Sequence, residues 1–424
     1  MIRPEIEIMP HQVQAISFML RHNYAICGDE QGLGKTLEAI AVQQADNLDC
    51  LVICPATLKL NWLEEYQKFT DETDIVVGHK KAKINITNYE QLSKCEELFK
   101  TAAIVIFDEA HYMIHMDSQR TGHAHRMISK YLPQRCLLLS GTPIKNRVTD
   151  FYSLLVLMSY TPVKNNGRDI RDKYKTQEQF NKYFAQVTKF KVKVKSRHGS
   201  FMKEITKYGR IKNENELKIY MRFKLIRRLA KNVLTLPPLI YKDINVSYKK
   251  DTALEKEYEK FVEGKSFDVS TKCKAAVSMA SFTADYIRDI VKAGEGPVIV
   301  FSDHIQPLDI IQTKLRSKFK VARIDGRTKI EDRNQNKKDF QAGLLDIILC
   351  SVGAASTGIT LTASRNMVLN DIPWDAASMS QLVKRFHRIG QNRSCVVHRM
   401  SGSSIGKKII KDLSLKMEDI NKIL

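Results

Sequence analysis

No stretch of this 424-residue chain is apolar for long enough to cross a membrane, and its first ten residues, Met1 to Pro10, lack a signal-peptide core. A soluble intracellular protein with no membrane partner is therefore expected. Cysteine is scarce, with eight residues and no CxxC pair. Cys27, Cys54, Cys136 and Cys350 fall inside or at the end of apolar runs that read as buried strands, which favours reduced core thiols over a metal centre or disulfides. His111 and His387 read as hydrogen-bonding connectors rather than as ligands or bases. There is no repeat of fixed period and no low-complexity tract. Acidic residues are also short, 47 Asp and Glu against 68 Lys and Arg, leaving a net charge of +21. Residues 161–240 hold 21 Lys/Arg against 6 Asp/Glu, so +15 of that charge sits in one segment. A basic block of this size attracts polyanions by counterion release, and nucleic acid is the favoured partner.

What the chain does contain is organised around Asp29-Glu30-Gln31-Gly32-Leu33-Gly34-Lys35-Thr36. An apolar run, Tyr24 to Cys27, leads in, and a helical pattern (Leu37, Ala39, Ile40, Val42) follows. Strand, glycine turn and helix together aim backbone N–H groups and a lysine at one anion. Asp29 stands where the strict GxxxxGK[ST] pattern has glycine. A second site supports the phosphate reading: Ile104 to Phe107 runs into Asp108-Glu109-Ala110-His111, an apolar strand ending in two acids. Magnesium needs a carboxylate and an attacking water needs a base, both beside the phosphates. The two sites together predict a nucleotide hydrolase.

Apolar strands at Leu51–Cys54, Ile75–Val77, Ile84–Thr87, Ile104–Phe107 and Cys136–Leu139 alternate with helical patterns, predicting an α/β fold with a parallel sheet and ligands at the strand ends. Two of those ends are distinctive, Cys54 to Trp62 and Ser140-Gly141-Thr142-Pro143, and near the start of the chain Pro10-His11-Gln12 precedes the first helix, where the Gln amide suits an adenine edge. From Phe151 to Leu239 the strand pattern stops. A mainly helical basic insertion is expected over 151–240, after a first lobe at 1–150 and before a second at 241–424. Within it Lys189 to Lys195 alternates as a lysine-faced hairpin would, and Met221 to Arg228 reads as a basic amphipathic helix ending by Pro237-Pro238. A helical lead-in, Ala253 to Ala293, precedes a second alternating unit with strands near Val298, Val321, Leu345, Met367 and Val396, and a terminal helix closes the chain. Two α/β units imply a ligand site in the cleft between them. Arg385 and Arg388, three apart, are expected on one helix face, where they can neutralise charge on a γ-phosphate.

These motifs, in this order across nearly the whole chain, resemble a Swi/Snf-type ATPase of helicase superfamily 2. The resemblance is carried by Pro10-His11-Gln12, Asp29 to Thr36, Cys54 to Trp62, Thr87-Asn88-Tyr89-Glu90, Asp108 to His111 and Leu138 to Ile144. It continues through Leu225 to Leu229, Val233 to Pro238, Ile324-Asp325-Gly326, Ser351 to Leu361, Asp371 to Trp374, and the run ending Arg385-Phe386-His387-Arg388-Ile389-Gly390-Gln391. The Cys54–Trp62 stretch is nearest the annealing-helicase and fork-remodelling branch. The resemblance implies two RecA-like lobes, with ATP and Mg²⁺ as cofactors. Asp29, Gly32, Leu33, Gly34, Lys35 and Thr36 would form the phosphate loop, with Lys35 on the β/γ-phosphates. Thr36 and Asp108 would hold Mg²⁺, directly or through water, and Glu109 would activate the attacking water. Arg385 and Arg388 would be arginine fingers, Gln12 would read adenine, and Gln381 would line the cleft. Thr57, Lys59, Ser140, Thr142, Ser351, Thr357 and Trp374 fall in motifs that touch DNA or couple it to ATP. Asp29 is normal for this branch. Val383 and Lys384 stand where relatives commonly carry acids, Trp374-Asp375-Ala376 replaces Trp-Asn-Pro, and Ala354 to Gly358 forms the small-residue turn.

The expected activity is that of a DNA-dependent ATPase translocating as a monomer on double-stranded DNA, forked or branched DNA included, with fork regression, branch migration or reannealing as outcomes. An RNA helicase of the Asp-Glu-Ala-His type and an ATP-switched DNA-binding scaffold are the alternatives. The brevity of the chain suggests a bacterial or phage setting.

Overall fold

The computed structural model describes residues 1–144, 147–161, 169–196, 199–246, 256, 259, 269–355, 359–401 and 404–423. The chain divides into two compact units, one comprising 1–233 with 416–424 and the other 234–415.

The first unit is built on a seven-stranded parallel sheet. Its strands are β1 (Tyr24–Cys27), β2 (Cys50–Cys54), β3 (Ile75–Val77), β4 (Ile84–Asn88), β5 (Ile104–Asp108), β6 (Arg135–Leu139) and, after the antiparallel hairpin β7 (Ala185–Ser196) and β8 (Gly199–Ile211), β9 (Leu225–Ile226). Their spatial order is β3-β4-β2-β5-β6-β1-β9. Every residue of β1, β2, β4 and β6 is buried; β1 and β2 accordingly read as continuous apolar runs, whereas β4 also buries Asn85, Thr87 and Asn88, and β6 buries Arg135 ahead of its apolar run. One face packs Ala25, Cys27, Val52, Cys54, Ile104 and Ile106 against the helices α1 (Pro10–Arg21), α2 (Lys35–Asp46) and α3 (Lys59–Phe69).

The order of the sheet decides where the chemistry lies. Register sets Cys27 beside Leu139, and Leu139 beside Asp108, so three adjacent strands end level. The turns that follow them, at 28–34, 109–111 and 140–143, therefore share one edge, the position at which open α/β sheets bind ligands.

The second unit carries a six-stranded parallel sheet of β10 (Leu239–Ile244), β11 (Val298–Ser302), β12 (Val321–Ile324), β13 (Ile347–Ser351), β14 (Asn366–Leu369) and β15 (Cys395–Met400), ordered β10-β15-β14-β11-β13-β12. Both faces are covered: Ile299 and Phe301 pack on one side, Val298 and Val300 on the other.

Three expectations need correcting. Residues 151–233 are not a separate, mainly helical insertion: they pack within the first unit and include the two long hairpin strands and β9. Met221–Arg228 is not a helix. The helix Glu214–Met221 stops there, and Leu225 and Ile226 pair with Ile26 and Cys27, because the unpaired edge of β1 offers hydrogen bonds and burial that a solvated basic helix would lack. Arg388 does not share a helix face with Arg385. The helix Ala376–Phe386 ends before it, at His387, whose Nε2 lies 2.7 Å from the Pro237 carbonyl, and Gly390 then turns the chain with a φ of +95°. The eight cysteines are free and seven are buried. Among the described residues no helix is long and apolar enough to cross a membrane.

Candidate functional site

The phosphate loop leaves β1 and enters α2 through two glycines in the left-handed region, Gly32 at φ +87° and Gly34 at +91°. Gly34 is the N-cap residue of α2, and no side chain caps that helix. The first-turn N–H groups of a helix have no intrahelical acceptor, so here they face the loop as an anion site reinforced by the helix dipole. Lys35 curls back over the loop, its Nζ donating to the carbonyls of Asp29 (2.8 Å) and Glu30 (3.3 Å).

The loop is braced from α1. Gln12 Nε2 donates to the Leu33 carbonyl at 3.1 Å, and His11 Nε2 lies 3.1 Å from the same oxygen. Gln12 Oε1 in turn accepts from the Met9 N–H. Gln12, expected to read adenine, is thus held against the loop by its own amide. Beneath the loop, Asp29 and Glu38 are both fully buried. Arg228 bonds Asp29 through Nε (3.1 Å), through Nη2 and through its backbone N–H (2.8 Å), and its Nη2 reaches Glu38 at 3.3 Å. Cys27 Sγ donates to the other Glu38 oxygen. Burial and the neighbouring Asp29 push Glu38 up to about 8. Cys27, Asp29 and Glu38 offer ligand atoms within 4.8 Å of one another, but the guanidinium already serves both carboxylates.

The acidic pair closes the site. Asp108 ends β5, and its carboxylate accepts from Trp62 Nε1 and the Glu109 N–H, each at 2.8 Å. Tyr89 donates its hydroxyl to the Asp108 carbonyl. Burial, together with the adjacent Glu109, pushes Asp108 up to about 6. Glu109 sits at φ +50°, a left-handed conformation uncommon for a side-chain-bearing residue and of the kind found at functional turns. His111 Nδ1 lies 3.1 Å from Glu109 Oε2 and 3.3 Å from Ser140 Oγ, and Ser140 Oγ accepts the Thr142 N–H. His111 is the connector the sequence suggests, joining the acid turn to the turn after β6.

Among the described residues, the Gln31 amide and the Thr142 hydroxyl are buried here without hydrogen-bond partners. Polar atoms left unpaired at a loop of exposed N–H groups fit a polar ligand. The donor set also fits a triphosphate with its magnesium: a lysine, uncapped helix N–H groups, and the oxygens of Thr36 and Asp108 for a hard cation.

Elsewhere in the first unit, Thr57 is exposed in the short turn after β2 and Lys59 opens α3. In the second unit Gln381 and Arg385 are buried along the helix Ala376–Phe386, and Arg388 Nη1 donates to Thr360 Oγ1 at 3.1 Å. Ser351 ends β13, its Oγ accepting the Ala354 N–H. Trp374 is 40% exposed, with Lys272 Nζ 5.0 Å from its ring centroid. Thr357 lies outside the described residues. Sequence reasoning gave no role to Trp62, Glu38, His11, Gln31, Arg227 or Arg228. Trp62 sits one helical turn from Lys59 in a motif already singled out, which is the signal that could have found it.

Residues 11–288 match the family model of the SNF2-related domain and residues 283–390 that of the helicase conserved C-terminal domain. The SWI/SNF-related matrix-associated actin-dependent regulator of chromatin subfamily A-like protein 1 of Xenopus tropicalis is 25% identical over 422 residues, covering 92% of this chain and 42% of that protein. An uncharacterized ATP-dependent helicase of Mycoplasma genitalium is 27% identical over 437 residues, covering 94% and 40%. The DNA annealing helicase and endonuclease ZRANB3 of Mus musculus is 25% identical over 432 residues, covering 92% and 38%. The chain spans about two fifths of the length of these relatives. The solved Sulfolobus solfataricus SWI2/SNF2 ATPase core in complex with dsDNA aligns over 99% of this chain and 97% of that one, at 21% identity and a TM-score of 0.45.

Proposed function

Since the chain belongs to the SNF2-related family of helicase-like proteins, matched over residues 11–288, we propose that it is a DNA-dependent ATPase that translocates on double-stranded DNA. The observation that carries this reading is the level ending of β1, β6 and β5, which gathers phosphate loop, Ser140 turn and acid pair on one sheet edge. Lys35 leaves its two carbonyls to contact the β- and γ-phosphates. Thr36 and Asp108 hold the magnesium, which when bound neutralises phosphate charge. Glu109, held against His111, orients the attacking water and takes its proton. The His111–Ser140–Thr142 chain then links hydrolysis to a turn that contacts DNA. Arg385 and Arg388 supply positive charge to the γ-phosphate in the transition state. DNA contacts fall on phosphates and are largely independent of sequence. The name of the mouse relative, a DNA annealing helicase, supports strand annealing as the outcome, with branch migration and fork regression as kindred reactions.

The test is ATP turnover measured with duplex, single-stranded, forked and four-way DNA, with RNA as control. Strong stimulation by duplex-containing DNA is expected. Equal turnover without DNA, or stimulation by RNA alone, would overturn the reading. Glu109→Gln should still bind ATP while turnover drops by about 100-fold or more, the usual scale for a lost general base.

A further inference from the structure

The phosphate loop is held along one side by the segment that leads towards the second unit. Beyond the two residues of β9, the pairing with β1 runs on down the loop: Ile26 N–H donates to the Lys224 carbonyl (2.6 Å), Gly28 N–H to Ile226 (2.8 Å) and Glu30 N–H to Arg228 (3.0 Å). Ala230 N–H then returns a bond to the Glu30 carboxylate at 2.6 Å. Packing is as close as hydrogen bonding, since a Cβ on Gly28 would stand 2.8 Å from Leu225 Cδ1. Two arginines complete the contact. Arg227 Nη1 donates to the carbonyls of Gly28 (2.9 Å) and Gly141 (3.3 Å), so one guanidinium ties the phosphate loop to the turn after β6. Arg228 grips Asp29 on three donors and reaches Glu38.

The electrostatics explain what this contact does. Asp29 is a fully buried acid at the start of a loop that has to take a triphosphate. Left alone it would repel the ligand in a region of weak screening, and it would be costly to bury. A fork-shaped guanidinium satisfies both carboxylate oxygens and cancels the charge, as a point-like ammonium would not.

We infer that Leu225–Ala230 is a strap that positions the phosphate loop for nucleotide, with Arg228 as the positioning residue acting through Asp29 and Arg227 coupling the loop to Gly141. The strap rests on the ATP reading above and adds to it: affinity for nucleotide depends on residues about 200 positions downstream of the loop, immediately before the second unit begins.

The experiment compares steady-state ATPase kinetics and hydrogen exchange of residues 28–34 in the wild-type chain, Arg228→Met, Arg228→Lys and the double variant Asp29→Asn/Arg228→Met. Arg228→Met should raise the KM for ATP by about tenfold and change kcat by less than about threefold, the signature of lost ground-state binding. Exchange at Gly28 and Glu30 should quicken. The double variant should recover KM to within about threefold of wild type, a non-additive result expected only if the two side chains act as a pair. Arg228→Lys, which keeps the charge but loses the fork, should fall between. It also serves as the readout if Arg228→Met does not fold. Unchanged KM and exchange in both single variants, or a double variant no better than Arg228→Met, would overturn the strap. If the ATP reading itself is at fault, the wild-type chain shows no turnover, and loop protection in the Arg228 variants still decides the strap.

Discussion

Gly34 carries the tightest steric demand in the phosphate loop. Its φ is +91°, and a Cβ would stand 2.2 Å from Gln12 Nε2, the atom that braces Leu33. Gly34→Ala should therefore cost about 1–2 kcal/mol of backbone strain and also displace Gln12, so nucleotide affinity falls by more than the strain alone requires. Thermal unfolding and nucleotide titration measure the two parts. Gly122 is the matched control: it lies within the helix Gln119–Tyr131, and a Cβ added there would meet no atom within 4 Å. Gly122→Ala should stabilise by about 0.5–1 kcal/mol without altering ATP binding. At this scale the sequence is uneven in what it reveals. Lys35, Asp108 and Glu109 are legible because the chemistry demands those side chains at strand ends. Asp29 looks like a departure from the glycine pattern, since its partner Arg228 is 199 positions away and no local spacing relates them.

The hairpin β7–β8 is the element whose purpose composition alone suggests. Register places Lys189, Lys191, Lys193 and Lys195 opposite Thr206, Glu204, Met202 and Ser200, and alternate strand positions share a face, so four lysine positions fall on one side. Lys189 is paired with Glu204 at 2.7 Å, an exposed ion pair of little energetic weight. Changing all four lysines to Gln should weaken duplex binding and flatten its salt dependence. The slope of log K against log salt should fall by roughly 0.9 for each phosphate no longer neutralised, or up to about 3.6 for all four. A slope equal to that of the parent chain would instead mark the lysines as edge protection against aggregation. The strands of both central sheets are legible in sequence for a different reason: burial on both faces forces apolar runs. β9 and β10 escape notice because their apolar content is short: β9 has two residues set between Lys224 and Arg227, and β10 has only Leu239-Ile240-Tyr241 between Pro238 and Lys242, most of the strand being exposed.

Among the buried histidines, one in each unit, His125 and His398, is held well below its usual value, and the two give a predictable response to acid. His125 sits between Ser153 Oγ (3.1 Å) and Tyr160, and burial, with Arg171 adding to it, lowers it to about 4. His398 sits between the Tyr286 hydroxyl (2.9 Å) and Asn366 Oδ1 (3.0 Å), and burial, with Lys242, lowers it likewise to about 4. A group held below its unfolded value of 6.5 contributes fully above pH 6.5. That contribution is lost between 6.5 and 4, where the unfolded chain takes the proton and the folded chain does not. At pH 5 each loss is about 2 kcal/mol. Glu38 and Asp108 run the other way: raised to about 8 and about 6, they favour the folded state as pH falls below those values. The first unit therefore holds opposing terms, and its total stability is a poor witness to any one of them. The difference between parent and variant isolates the histidine. The cost of His125→Gln or His398→Gln, measured by denaturant unfolding, should be about 2 kcal/mol smaller at pH 5 than at pH 7.5, because by pH 5 the parent has already lost what the histidine contributes. A cost independent of pH would mean that these rings take up their protons at the same pH folded as unfolded, which burial with a cation nearby does not favour.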